Sequence, residues 1–301
     1  MNNQTKRSPL FYVGDKYKLM DQLINLFPKE INSFYEPFVG GGTIFLNINA
    51  TKYYLNDIDK NLMDIHKFLI KSARNPERFF KDVEKVICKY SLSKSYKKNI
   101  VPDRLKKKWE KTYYARFNKK GYEELRQYVN KSKKNNPLLL YILLIYGFNR
   151  MLRFNSDGKF NLPVGNVDFN KNVVNALNDY FNFIKDKKII LSSKDFREFF
   201  PGKRYSKNDF VYFDPPYLIT ASEYNKFWHK DSESDLLNLI DKLDKNGIKF
   251  ALSNVTHYSG SKNNLLINWM KKYKVHKLRS NYISYHNNMK KKISEVLITN
   301  Y

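Results

Sequence analysis

Phe210-Val211-Tyr212-Phe213-Asp214-Pro215-Pro216-Tyr217 is the stretch from which the rest of the chain is read. Its first four residues are apolar, β-branched or aromatic, the composition of a buried strand. Two consecutive prolines cannot extend a ladder, because neither carries a backbone N–H and both hold φ near about −65°. The chain therefore leaves the sheet at Asp214 in a stiff turn, with a carboxylate at one end and a phenol at the other. Open α/β sheets place ligands just beyond the carboxyl ends of their strands. The competing reading is an ordinary strand-ending turn with a solvated aspartate, and the neighbouring segments decide between the two.

Working outward, Lys188-Ile189-Ile190-Leu191-Ser192 reads as another strand, ending at Lys194-Asp195-Phe196, after a helix over residues 173–185. Downstream come a helix over 235–243, a strand over 249–254, a helical stretch over 263–273 and closing strands over 274–278 and 295–300. A basic loop with Lys290-Lys291-Lys292 separates those last two. Toward the amino terminus, Leu10-Phe11-Tyr12-Val13 reads as a short extended approach. Gly14-Asp15-Lys16 and a helix with Leu19, Leu23, Ile24 and Phe27 follow, closed by Pro28. Residues 33–39 then form a strand that runs into Gly40-Gly41-Gly42, with Thr43 expected to cap a helix containing Ile44, Phe45, Leu46 and Ile48. A strand, a glycine turn and a helix start make a nucleotide-type binding turn. The next strand, Tyr53-Tyr54-Leu55, ends at Asn56-Asp57, where an acidic residue would hold a ribose; helix capping is the plainer use of Asp57.

The middle of the chain is different. From about 62 to 150 the pattern is helical and charged. Residues 71–160 hold 24 Lys/Arg against 8 Asp/Glu, so +16 of the formal net charge of +26 falls there. Trp109, Tyr113, Tyr114, Phe117 and Tyr122 alternate with Lys106-Lys107-Lys108, Lys111, Arg116 and Lys119-Lys120. Basic residues neutralise phosphates and aromatic rings stack on bases or wedge between them; a solvated helix pair with a small aromatic core would look similar. Part of the lysine excess also fits an AT-rich coding sequence. After the apolar residues 138–146 come Phe148, Asn149, Arg150, Met151, Arg153 and Asn155. A Ser156-Asp157-Gly158-Lys159 turn and Pro163 follow, a hairpin-like loop whose side chains suit base edges and thymine methyls.

The single Cys88 excludes a disulfide framework and a cysteine-based metal site. His66, His229, His257, His276 and His286 lack metal-ligand spacing and read as core or surface histidines. The amino terminus lacks an apolar signal segment, and the longest apolar run is too short to span a bilayer. These features lead to the expectation of a soluble cytoplasmic protein.

The motifs in this order resemble the α-class, Dam-like or D12, N6-adenine DNA methyltransferases over nearly the whole chain. Tyr12-Val13-Gly14-Asp15-Lys16 is similar to the family's amino-terminal cofactor segment, and Glu36-Pro37-Phe38-Val39-Gly40-Gly41-Gly42 to its cofactor turn. Asn56-Asp57 resembles its ribose-holding site, Asp195-Phe196 the flank of the cofactor adenine, Asp214–Tyr217 the catalytic tetrapeptide and residues 292–301 the closing strand. The resemblance implies a Rossmann-like α/β methyltransferase sheet with a mainly helical DNA-recognition insertion: residues 1–61 and 166–301 catalytic, 62–165 the insertion. It implies Asp214, Pro215, Pro216 and Tyr217 as catalytic. Tyr12, Lys16, Glu36, Pro37, Phe38, Gly40, Gly42, Asp57, Asp195, Phe196 and Asp214 would hold S-adenosyl-L-methionine, released as S-adenosyl-L-homocysteine, with no metal. Phe11, Arg116, Phe148, Asn149, Arg150, Met151, Arg153, Asn155 and Pro163 would contact double-stranded DNA. That the protein is prokaryotic, associated with the nucleoid through DNA and a monomer or weak dimer is implied only by this resemblance.

The implied reaction is methylation of N6 of a flipped-out adenine in a short duplex site. The expected setting is a restriction–modification system whose endonuclease is not directly contacted. Two departures point away from GATC as the target: Phe11 stands where that branch usually has lysine, and Arg150 where a glycine is usual. An N4-cytosine enzyme, which more often carries serine at position 214, an RNA-directed enzyme and a non-catalytic binding protein are the alternatives.

Overall fold

In the computed structural model, Phe210–Phe213 is a strand with every residue buried, and the chain leaves it at Asp214. The structure describes residues 5–97, 101–132, 135–200, 205–220, 228–279 and 293–301. The basic loop expected at Lys290-Lys291-Lys292 lies outside them. In chain order the elements are α1 (Met20–Ile24), β1 (Ser33–Glu36), β2 (Lys52–Asn56), α2 (Lys60–Ser72), α3 (Pro76–Lys89), α4 (Asp103–Lys108), α5 (Tyr113–Lys131), α6 (Pro137–Tyr146), α7 (Lys171–Ile184), β3 (Lys188–Ser192), α8 (Phe196–Phe199), β4 (Phe210–Phe213), α9 (Lys230–Lys245), β5 (Lys249–Tyr258), β6 (Ser261–Lys262), α10 (Asn264–Trp269), β7 (Lys274–Lys277) and β8 (Ile293–Thr299).

The chain divides into two compact units. One comprises 16–39, 47–58 and 187–301; the other comprises 1–15, 40–46 and 59–186.

The first unit holds a mixed sheet in the order β3-β2-β1-β4-β5-β8-β7, with β6 paired to β5. From β3 to β5 all neighbours are parallel; β8 enters antiparallel between β5 and β7. Successive strand residues point to opposite faces, and both faces of the centre are covered. Tyr35, Val211, Phe213, Phe250 and Leu252 pack with Leu236, Leu237, Ile240 and Leu243 of α9 and Leu266 of α10. On the opposite side Phe27 meets the rings of Phe210 and Tyr212 at 5.3 and 5.5 Å. This α/β sheet with packed helices is consistent with a Rossmann-like methyltransferase fold. Strand order reverses at β1: β2 follows it on one side, β4 lies on the other. That is the switch point where such sheets take ligands.

The second unit is helical and is centred on α6, whose residues Leu139 to Tyr146 are all buried. α2, α3 and α5 pack on it. Four of its helices start where side-chain caps supply the missing acceptors: Asp59 for α2, Asn75 for α3, Asn136 for α6 and Asn170 for α7. Pro76 and Pro137 occupy first-turn positions that need no N–H. The hairpin-like loop is present, with antiparallel bridges Gly147–Val164 and Phe154–Phe160. Asn130 and Arg126 of α5 fasten it by donating to the carbonyls of Phe160 and Leu162.

Two local expectations fail. No α-helix follows the glycines, and Thr43 caps none; the segment makes only a 3₁₀ turn, Phe45–Asn47. The reason lies just downstream, where β2 already begins at Lys52 and the Tyr53 hydroxyl ties down Ile48 and Ala50. The approach at residues 10–13 is also not extended, for Phe11 has φ of 48°.

Candidate functional site

In the sheet unit β1 and β4 pair in parallel, Tyr35 opposite Val211, so their carboxyl ends lie at the same edge, with Pro37 following β1 and Asp214 following β4. The Lys16 ammonium, 5 % exposed, lies 2.6 Å from Asp214 Oδ2. The Tyr217 hydroxyl shares its proton between Asp214 Oδ1 at 3.1 Å and Glu295 Oε1 at 3.0 Å. Lys16 Nζ also sits 5.2 Å from the centre of the Tyr217 ring. Glu36 and Glu295 are buried. Beneath them the Tyr212 hydroxyl, 2.7 Å from Ser253 Oγ, has its pKa pushed far up. Burial is the main cause; the carboxylates of Asp214, Glu36 and Glu295 add to it. Three acids therefore gather at this end of the sheet, close to Lys16. Such surroundings suit a ligand that carries its own positive charge.

Asn56 ties three loops together. Its Nδ2 donates to the carbonyls of Pro37 (3.1 Å) and Lys194 (2.9 Å), and its Oδ1 accepts from Ser192 Oγ and the Lys194 N–H. Asp57 follows directly, half-buried. It does not cap α2, since Asp59 accepts from the N–H groups of Asn61 and Leu62. Asp195 caps α8 and pairs with Arg197 at 2.9 Å. Phe196 is buried between Phe38 and Trp228, with ring centres 5.4 and 5.6 Å away.

In the helical unit the glycine turn is shaped by its neighbours. A Cβ on Gly41 would lie 2.8 Å from Tyr12 Cβ, and one on Gly42 would lie 2.4 Å from the Phe45 ring. Gly40 has φ of 47° and open space beside it. The turn can thus bring bare backbone up to a ligand at Gly40 while its other sides are filled, the kind of cradle a cofactor requires. Ser8 Oγ donates to the Gly41 carbonyl, and His66 Nε2 donates to the Gly40 carbonyl at 2.8 Å. Burial lowers the His66 pKa to about 4, so the ring is neutral.

The residues expected to meet DNA also lie in this unit. Phe148 is 52 % exposed, and Asn149, Asn155 and Pro163 are exposed; Met151 is half-buried. Arg153 forks onto Asn161, at 2.9 and 3.0 Å. Asn155 Oδ1 accepts from the N–H groups of Asp157 and Lys159 and shapes the hairpin tip. Arg116 stacks 4.2 Å from the Trp109 ring centre. Phe11 is buried between the guanidinium groups of Arg7 and Arg150, 4.8 and 4.4 Å away. Of the interleaved aromatics, Tyr122 belongs to the core, its hydroxyl 3.2 Å from the Leu162 carbonyl.

Ser8, Asn56, His66 and Glu295 are contributors that sequence reading missed. Asn56 and Glu295 were visible beside or within recognised motifs. Ser8 and His66 have no local signature, because their partners are backbone carbonyls far along the chain. Among the described residues no group of His, Cys, Asp and Glu could hold a metal ion, and no helix is long and apolar enough to cross a membrane.

Comparison with known proteins gives a consistent picture. Residues 12–283 match the family described as D12 class N6 adenine-specific DNA methyltransferase. The chain is 36 % identical over 308 residues to the Type II methyltransferase M.FokI of Planomicrobium okeanokoites, covering 99 % of this chain and 43 % of that protein. It is 35 % identical over 306 residues to modification methylase StsI of Streptococcus sanguinis, covering 98 % and 43 %. To the Type II methyltransferase M1.LlaDCHI of Lactococcus lactis subsp. cremoris it is 26 % identical, covering 96 % and 94 %. The chain thus spans less than half the length of the first two relatives.

Proposed function

We propose, for a chain that belongs to the D12 class of N6 adenine-specific DNA methyltransferases, that it methylates N6 of adenine within a short duplex DNA sequence. The observation that carries this reading furthest is the Asp214–Tyr217 turn at the carboxyl end of β4, beside β1 and held by Lys16, Tyr217 and Glu295.

S-adenosyl-L-methionine supplies a sulfonium methyl and leaves as S-adenosyl-L-homocysteine. Tyr12, Lys16, Glu36, Pro37, Phe38, Gly40, Gly42, Asp57, Asp195, Phe196 and Asp214 are the residues proposed to hold it. Asp57 follows directly on the end of β2, the place from which an acidic residue reaches a ribose. The three acids suit a cationic sulfonium, and the Gly40 backbone has space beside it.

An adenine amino nitrogen is a weak nucleophile because its lone pair is delocalised into the ring. Asp214 and the Pro215 carbonyl accept hydrogen bonds from the two amino hydrogens and stabilise the positive charge that develops on nitrogen, which sheds one of those protons once the methyl is attached. A carboxylate has about four lone-pair sites, so Lys16 and Tyr217 leave Asp214 able to take one more donor. Pro215 and Pro216 fix these acceptors before the base arrives, which is an entropic advantage. The Tyr217 ring stacks on the base. A base inside a duplex is out of reach, so it is flipped out.

Duplex DNA is assigned to the basic helical region 62–165 and its hairpin, where exposed Lys107, Lys108, Lys111, Arg116, Lys119 and Lys120 follow one another along α4, α5 and the link between them. The remainder, 1–61 and 166–301, is assigned to catalysis. The names of the relatives, Type II methyltransferase and modification methylase, support a place in a restriction–modification system, without direct contact with the endonuclease.

Transfer of tritiated methyl from S-adenosyl-L-methionine to duplex DNA, with RNA as control, is the test. The wild-type chain labels DNA only, and the label resides in N6-methyladenine. Asp214→Ala binds DNA and transfers nothing; near-normal turnover by that variant would sink the assignment.

A further inference from the structure

Arg150 differs from every basic residue just named. Its φ is 49° and that of Asn149 is 54°, so two successive non-glycine residues sit in the left-handed region. Each such residue is strained, and strain of this kind persists only where surrounding contacts impose it. Here the Val13 N–H donates to the Arg150 carbonyl at 3.3 Å and the Arg150 N–H to the Gly147 carbonyl at 3.2 Å. The Phe148 N–H donates to the Pro163 carbonyl at 2.9 Å. The result is a guanidinium laid over the Phe11 ring, 4.4 Å from its centre.

Arg7 lies over the same ring at 4.8 Å, but the two are not equivalent. Arg7 pairs with Asp15 at 3.4 Å. Arg150 has no ion pair and no side-chain hydrogen bond among the described residues, and its Nε is buried without a partner. A guanidinium carries five donors in a fixed plane, and leaving a buried Nε–H unmatched is costly. Such a residue, strained in its backbone and unsatisfied in its side chain, fits a site completed by an acceptor from outside. Phosphate neutralisation needs only charge, which the exposed lysines supply. A rigid planar fork suits a pair of acceptors in one plane, such as O6 and N7 on a guanine edge.

We propose that Arg150, held flat on Phe11, is a specificity-determining residue that reads a guanine in the DNA site, with Phe11 positioning it. The proposal rests on the methyltransferase reading given above.

The test is to methylate unmodified genomic DNA with the full chain and map N6-methyladenine by sequencing. Wild type is compared with Arg150→Lys, Arg150→Gly and Phe11→Leu. Glycine adopts the left-handed conformation freely, so Arg150→Gly melts no lower than wild type, and loss of folding cannot mask its effect. Both Arg150 variants are expected to turn one guanine of the motif degenerate, with discrimination there falling about 10- to 100-fold. Phe11→Leu relaxes the same position to a smaller extent, a change that loss of packing alone does not produce. Arg150→Lys that keeps the wild-type motif and rate would make the contact one of charge to phosphate and overturn the proposal. An unchanged motif in Arg150→Gly also overturns it. A wild-type protein that leaves no N6-methyladenine overturns the methyltransferase reading and this inference together.

Discussion

At the end of β4 the backbone is stiffened from within, by Pro215 and Pro216, whereas Gly40, Gly41 and Gly42 have no stiffness of their own. The proline turn directs charged side chains, and its neighbours Lys16, Tyr217 and Glu295 act on those side chains. The glycine turn offers backbone, and its neighbours Ser8, Tyr12, Phe45 and His66 hold that backbone in shape. One turn is preorganised by covalent chemistry, the other by packing. The proline turn should therefore fail mainly through lost charge, and the glycine turn through lost or excess volume.

The largest effect is expected at the ion pair. Asp214→Asn keeps the shape of the proline turn but removes the carboxylate charge from beside a buried lysine, so methyl transfer falls by at least about 10³-fold. Stability drops by roughly 2–4 kcal/mol. Adding Lys16→Met restores the melting temperature without restoring activity, as single-turnover assays and thermal melts would show. A lone Asp214→Asn that melts like wild type would mean that Lys16 is not held by this pair.

Next in size is Gly41→Ala. Its new methyl group meets Tyr12 at 2.8 Å, an overpacking that costs about 1–3 kcal/mol. Affinity for S-adenosyl-L-methionine, measured by calorimetry, should weaken about tenfold or more. Unchanged affinity would separate the shape of this turn from cofactor binding.

The subtlest effect is a pH dependence. Burial depresses the His66 pKa from 6.5 to about 4. The unfolded chain therefore binds the extra proton first as pH falls. The contribution of the neutral ring is fully present above about pH 6.5 and is lost progressively between 6.5 and 4. Between pH 7 and pH 5 this amounts to about 2 kcal/mol. Urea titrations of wild type and His66→Gln at both values should differ by that slope; parallel pH dependence in the two proteins would refute it.

Much of the sheet was legible beforehand because its signals are local. The runs 188–192 and 210–213 are apolar and β-rich, and the strands lie where those runs do. The helix expected after the glycines was not legible correctly, since Ile44, Phe45, Leu46 and Ile48 show helical spacing whether or not β2 leaves room for a helix. The site divides similarly. Asp214, Tyr217 and the glycines announce themselves through proline and glycine chemistry. His66 and Ser8 are ordinary residues until the fold brings carbonyls to them, and Phe11 reads as part of an extended approach until the fold turns it at a φ of 48° between two arginines.

The sequence by itself determined where strands end, where the backbone must be stiff or bare, and where positive charge accumulates. Each of these follows from the conformational limits and charge of residues close together in the chain. Only the tertiary structure decided that β4 lies beside β1, that Lys16 meets Asp214 across 198 positions, and that Arg150 has a ring beneath it but no side-chain acceptor among the described residues. Those pairings are set by long-range packing, and no local pattern of residue types encodes which distant group will arrive.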